Sequence, residues 1–122
     1  MLDVTKTVIS WLIDNGVDAY CEVPPDRPRE FCVVQRTGGG KAGVKCSPAV
    51  AVDCWAATQV EANLFGSKVE QMLIDMPDGI DNVFTCEINS FYENPDPDTG
   101  SPRVSLFCVL QTNDSEVVHG RG

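Results

Sequence analysis

The 122-residue chain has a single histidine, His119, and no two cysteines at C-x-x-C spacing. One imidazole in a polar C-terminal stretch leaves no histidine beside a core nucleophile, so His-assisted serine or cysteine catalysis has no framework. No Gly-x-Ser-x-Gly turn is present either. Zinc knuckles and redox dithiols need closely spaced thiols, and these are missing. No apolar run approaches the roughly 18 residues that span a bilayer. The opening Met1-Leu2-Asp3-Val4-Thr5-Lys6 lacks the basic flank and cleavage pattern of an export signal. Cytoplasmic residence is the resulting expectation. Net positive charge is absent too: the formal charge is −9. That sign disfavours gripping phosphates, yet suits a surface that stands near DNA without sticking to it.

What is present fits one domain with an ordinary core, the apolar content being 43%. The six cysteines, Cys21, Cys32, Cys46, Cys54, Cys86 and Cys108, are even in number. Without an export signal they read as free thiols, and Cys32, Cys54, Cys86 and Cys108 lie among apolar neighbours as small hydrophobes.

The pattern along the chain predicts α-β-β-β-α-β-β. Residues 3–15 form a helix capped by Asp3, with Val8, Ile9, Leu12 and Ile13 as its stripe and Gly16 as its stop. Strands follow at 18–23, 30–37 and 49–56. Pro24, Pro25 and Pro28 stiffen the link after the first, and Gly38–Gly43 makes a long flexible hairpin tip. Thr58-Gln59-Val60-Glu61 is a capping box opening the second helix. Its apolar stripe is Ala62, Phe65, Val69, Met72, Leu73 and Met76, interrupted by Gly66, and Pro77, Asp78 and Gly79 end it. Strands at 82–92 and 103–112 close the domain, with a polar, proline-rich loop over 93–102 that projects or is disordered. Residues 113–122 are a flexible polar tail. The fold class is therefore α+β: one mixed or antiparallel sheet of about five strands with both helices on one face.

Motif-like pieces fail on inspection. A Walker A loop ending at Lys41 needs glycine at Gln35, a hydroxyl at Ala42 and a following helix. The acids between Asp75 and Asp98 lack EF-hand spacing. No catalytic, metal or cofactor site is expected. Assembly is what remains. Arg27, Arg29, Arg36 and Arg103 are scattered cations in an acidic chain, suited to carboxylates at subunit contacts, and Trp11 and Trp55 are candidate anchors or core.

Taken in order, several pieces resemble the tail-terminator (tail-completion) proteins of long-tailed bacteriophages and prophages. They are the N-terminal helix, Pro24-Pro25-Asp26-Arg27-Pro28, and Phe31-Cys32-Val33-Val34-Gln35-Arg36-Thr37-Gly38-Gly39. Val52-Asp53-Cys54-Trp55-Ala56 then leads into Thr58 and Glu61-Ala62, and the Pro-Asp loop precedes Pro102-Arg103. The likeness covers roughly residues 4–112, with cysteines at 32, 54 and 108 replacing other small apolar residues. It implies a ring, typically of six copies, on the head-proximal end of the tail tube. Such a ring stops tube polymerisation, meets the head–tail connector and lets DNA pass through its lumen without specific binding. Expected contacts to other copies or to the major tail tube protein are Arg27, Pro28, Arg36, Gly38, Gly39, Gly40, Trp55 and Arg103. The glycine tip and the Pro95–Pro102 loop are expected to be mobile until they dock. Other phage neck proteins, or a host small-molecule binding module, are the alternatives.

Overall fold

A computed structural model describes residues 3–42 and 45–113. The elements run α1 (Val4–Asp14), β1 (Ala19–Tyr20), β2 (Phe31–Ala42), β3 (Lys45–Trp55), α2 (Gln59–Ile74), α3 (Met76–Gly79), β4 (Val83–Glu93) and β5 (Arg103–Asn113). The strands form one mixed sheet in the order β1-β2-β3-β5-β4. Only β1 runs parallel to its neighbour; the other pairs are antiparallel. The fold is α+β, with α1 and α2 packed on the same side of the sheet. The tail from 114 onward, with His119, and the Gly43 end of the glycine run lie outside the described residues.

Each helix is set by its ends. Asp3 accepts a hydrogen bond from the Lys6 amide to open α1. Gly16, at φ +88°, closes it: the Gly16 amide donates to the Ile13 carbonyl and the Val17 amide to that of Leu12. The stripe that reaches the core is Val4, Val8 and Leu12; Ile13, expected on it, is exposed. In α2 the Thr58 side chain accepts from the Glu61 amide. Ala62, Phe65, Gly66, Val69 and Leu73 are buried, and Met76 is buried in the short α3 that continues the chain. Gly66 sits where a Cβ would come within 3.0 Å of Val104 and 3.2 Å of Phe91. Its missing side chain lets α2 lie against β5 and β4. Trp11 locks the far end: its Nε1 donates to the Met72 carbonyl at 2.7 Å, and its ring fills the place a side chain at Gly79 would need.

Under the helices the main core combines these residues with Cys32, Val34, Val50, Val52, Cys54, Val104, Leu106, Cys108 and Leu110. A fully buried Val or Leu there contributes about 1.5–3 kcal/mol over exposure. The four core thiols are small enough to sit directly under helix side chains. The Cys32 and Cys54 sulfurs, on residues facing each other across β2 and β3, are 3.8 Å apart. Burial first, then the Cys54 contact, pushes the Cys32 thiol up, and the Cys86 contact and burial do the same for Cys108. Thiols held protonated in this way are poor nucleophiles.

Three expectations need correction. The first strand is two residues long, not six, because the chain bends away at Cys21 toward the prolines. The glycine run is no free tip: Gly38, Gly39 and Gly40 pair with Ala49, Pro48 and Ser47, and pairing continues through Ala42. A register shift between Arg36 and Gly38 starts this part of the ribbon. Gly39 has φ +127°, and a Cβ there would meet the Pro48 Cα at 2.5 Å, so glycine serves close backbone approach rather than looseness. The 94–102 loop is also ordered. Its Asp96 amide donates to the Ser101 carbonyl and the Gly100 amide to that of Asp96.

Gly39→Ala is expected to cost about 1–3 kcal/mol, read as a lowered urea midpoint with the slope unchanged. Thiol labelling of the native protein should modify exposed Cys21 rapidly and Cys32, Cys54, Cys86 and Cys108 only on unfolding.

Candidate interaction site at the Trp55 end of the sheet

The face of the sheet away from the helices carries a second apolar cluster of Phe31, Val33 and Trp55, edged by Tyr20. Phe31 and Trp55 are direct partners across β2 and β3, and their rings stack at 5.4 Å with an interplanar angle of 14°. Two guanidinium groups lie against the same indole, Arg27 at 5.0 Å and Arg103 at 5.2 Å from its centre. Trp55 is therefore 5% exposed, a platform under cations rather than a protruding anchor. Its Nε1 hydrogen is buried and has no acceptor among the described residues.

The two arginines differ in what holds them. Arg103 opens β5 with its side chain 14% exposed. Its Nε donates to the Asn94 carbonyl at 2.7 Å, and its Nη1 stands 4.0 Å from both Asp53 and Asp96. Around it Asn94 donates to Ser105 Oγ, and that fully buried hydroxyl donates to Asp53 at 2.7 Å. Thr99 donates to Asp96 from both its hydroxyl and its amide. The hydroxyl bond is the leading reason the Asp96 carboxyl is held below its ordinary range. Arg27 is exposed, and its hydrogen-bond partner among the described residues is Ser101 Oγ, at 3.4 Å. Arg29 pairs with Glu61 through both carboxylate oxygens at 2.9 Å. Between the 27–31 segment and Pro102 lies a cavity of about 290 Å³ lined by Arg27, Arg29, Phe31 and Trp55.

The expected contact residues thus divide. Arg27, Pro28, Trp55 and Arg103 meet at this end. Arg36, Gly38, Gly39 and Gly40 sit along the ribbon; seven residues at strand rise put Gly38 about 23 Å from Phe31. Arg36 there donates to the Gly38 carbonyl at 3.2 Å. Asp53, Asn94, Asp96 and Ser105 were missed as parts of the site. Asp53 interrupting an apolar strand, and asparagine and aspartate flanking Pro95, were the signals available. Trp11 belongs to the helix packing and not to this site.

A groove of about 490 Å³ lies at Ile9, Tyr20 and Cys21–Pro25, with Glu22 as its charged residue. It lacks the converging polar groups of a small-molecule site. Among the described residues no group of three or more His, Cys, Asp or Glu side chains could hold a metal, and no helix is long and apolar enough to cross a membrane. Neither a scan against protein-family models nor a search of curated proteins finds a match for this chain.

Arg103→Ala should destabilise the fold by about 1.5–3 kcal/mol, because it leaves charged and buried hydrogen-bond partners unmet. Arg27→Ala, removing an exposed cation, should cost under about 1 kcal/mol. Equal effects in urea unfolding would refute this division between a structural and a free arginine.

Proposed function

We infer that this chain is a structural tail protein of a long-tailed phage or prophage, capping the head-proximal end of the tail tube as a ring of identical copies. In this role it ends tube polymerisation and meets the head–tail connector, acting by recognition and without chemistry. Assembly takes place in the host bacterial cytoplasm, and the final location is the virion tail. The observation that carries the reading is Arg27, an exposed cation that among the described residues has no carboxylate, lying on the buried Trp55 at the end of a sheet face that no described helix covers. An exposed guanidinium lying on a buried aromatic platform is suited to recognition. The ordered resemblance from the proline link to Pro102-Arg103 supplies the kind of assembly.

The charge balance supports the same role. A net charge of −9 disfavours tight DNA binding, which fits a lumen through which the genome slides where acids line it. A different neck component, such as a head-closure protein, would use the same ring logic on the portal side.

Electron microscopy of the purified protein mixed with purified tail tubes provides the test. Added density on one end of each tube, together with arrested elongation, is the expected result. Binding to the portal end of heads with bare tubes would assign the protein to the other side of the neck.

A further inference from the structure

The charges along the chain are unevenly placed. Between Lys68 and Arg103 there is no lysine or arginine, and within that stretch Asp75, Asp78 and Asp81 follow one another at three-residue spacing. All three are exposed. They occupy the turn through α3 into β4 and are flanked by exposed Ile74 and Phe84. This turn lies at the opposite end of the molecule from Arg27. The helix α2 begins beside β5's first residue, where Gln59 donates to the Arg103 carbonyl, and ends at Ile74 just before the turn. Its 16 residues separate the two ends by about 24 Å.

The Arg27 end is not a broad basic patch, since Asp26 and Glu30 flank the arginines. It is a single donor position. Arg103 is engaged by Asp53 and Asp96 and Arg29 by Glu61, so Arg27 alone of the three has no carboxylate among the described residues. Beside it the buried Trp55 Nε1 hydrogen also lacks an acceptor. An exposed guanidinium without a carboxylate among the described residues, at the rim of a cavity of about 290 Å³, is open to a carboxylate from outside the chain.

We propose that the Arg27–Trp55 cavity of one copy receives a carboxylate from the Asp75–Asp81 turn of the next copy, making a head-to-tail contact. A contact between two different surfaces of the same chain either closes into a ring or grows as a filament, and so supplies the geometry that a cap requires. This rests on the reading of the chain as a self-assembling ring subunit, but it identifies the surfaces independently of any tail tube. Exposed Ile74 and Phe84 give the acidic turn apolar area beside its charge.

Sedimentation velocity of the full chain, over a range of protein and salt concentrations, tests the contact by charge exchange. The wild type should self-associate, less so at high salt. Arg27→Glu alone, and Asp78→Arg with Asp81→Arg alone, should each weaken association about tenfold or more. An equimolar mixture of the two variants should recover it, because each then offers the other a complementary surface. Circular dichroism and melting establish that the variants fold; Arg27→Gln and Asp78→Asn replace any that does not, and each should also weaken association. A wild type that stays monomeric throughout, variants that associate as the wild type does, or folded variants that do not recover on mixing would overturn the proposal. Capping of tubes is scored separately. Capping without the exchange behaviour sinks this contact alone, and the exchange behaviour without capping sinks the tube reading alone.

Discussion

Much of this structure hangs on the placement of one guanidinium. Arg103 stands where β5 begins, the strand that lies between β3 and β4. From there it ties the Asn94 carbonyl at the end of β4, Asp53 on β3 and Asp96 in the connecting loop to the face of Trp55. A planar group with five donors can meet several acceptors and still stack on an indole, which a lysine could not do. Because it is mostly buried, its partners form a set: removing one leaves the others short. The proline-rich loop is ordered for the same reason. Its backbone closes on itself, and its acid points to a fixed cation.

The other side of the sheet is held by shape rather than charge. Val4, Val8 and Leu12 of α1 and the buried side of α2 meet strands whose core positions are mostly valine, leucine and cysteine. Cysteine there is a small apolar filler, and Gly66 removes the last obstacle to close approach of α2. The two faces thus divide the labour. One is closed by packed helices. The other is left as a shallow aromatic surface whose charges are partly satisfied from within the chain.

Apart from the short α3, which occupies the Met76–Gly79 segment expected only to end the second helix, the element order was legible because its signals are local. The Asp3 and Thr58 caps, the Gly16 stop and the alternation of Val50, Val52 and Cys54 each act within a few residues, and each is found in the structure. The long-range features were not legible. Glycines read as looseness because flexibility and close backbone approach use the same residue; only the Pro48 backbone facing Gly39 separates the two. Arg27, Pro28, Trp55 and Arg103 were named as contacts, and they do converge. That they converge on a stack, with one arginine engaged and the other free, depends on strand register that no local pattern encodes. The acids Asp53 and Asp96 were invisible as partners of Arg103 for the same reason. Arg36 and the glycines were grouped with them in sequence yet lie a strand's length away.

The two tryptophans sit in unlike surroundings at separate ends of the fold. Trp11 donates to a backbone carbonyl and rests on Gly79, beside the acidic turn. Trp55 lies under two cations with its own hydrogen unshared. The molecule therefore carries one built-in chromophore for each end, with different local fields, and replacing either tryptophan by phenylalanine leaves an emission that reports on the other end without any added label.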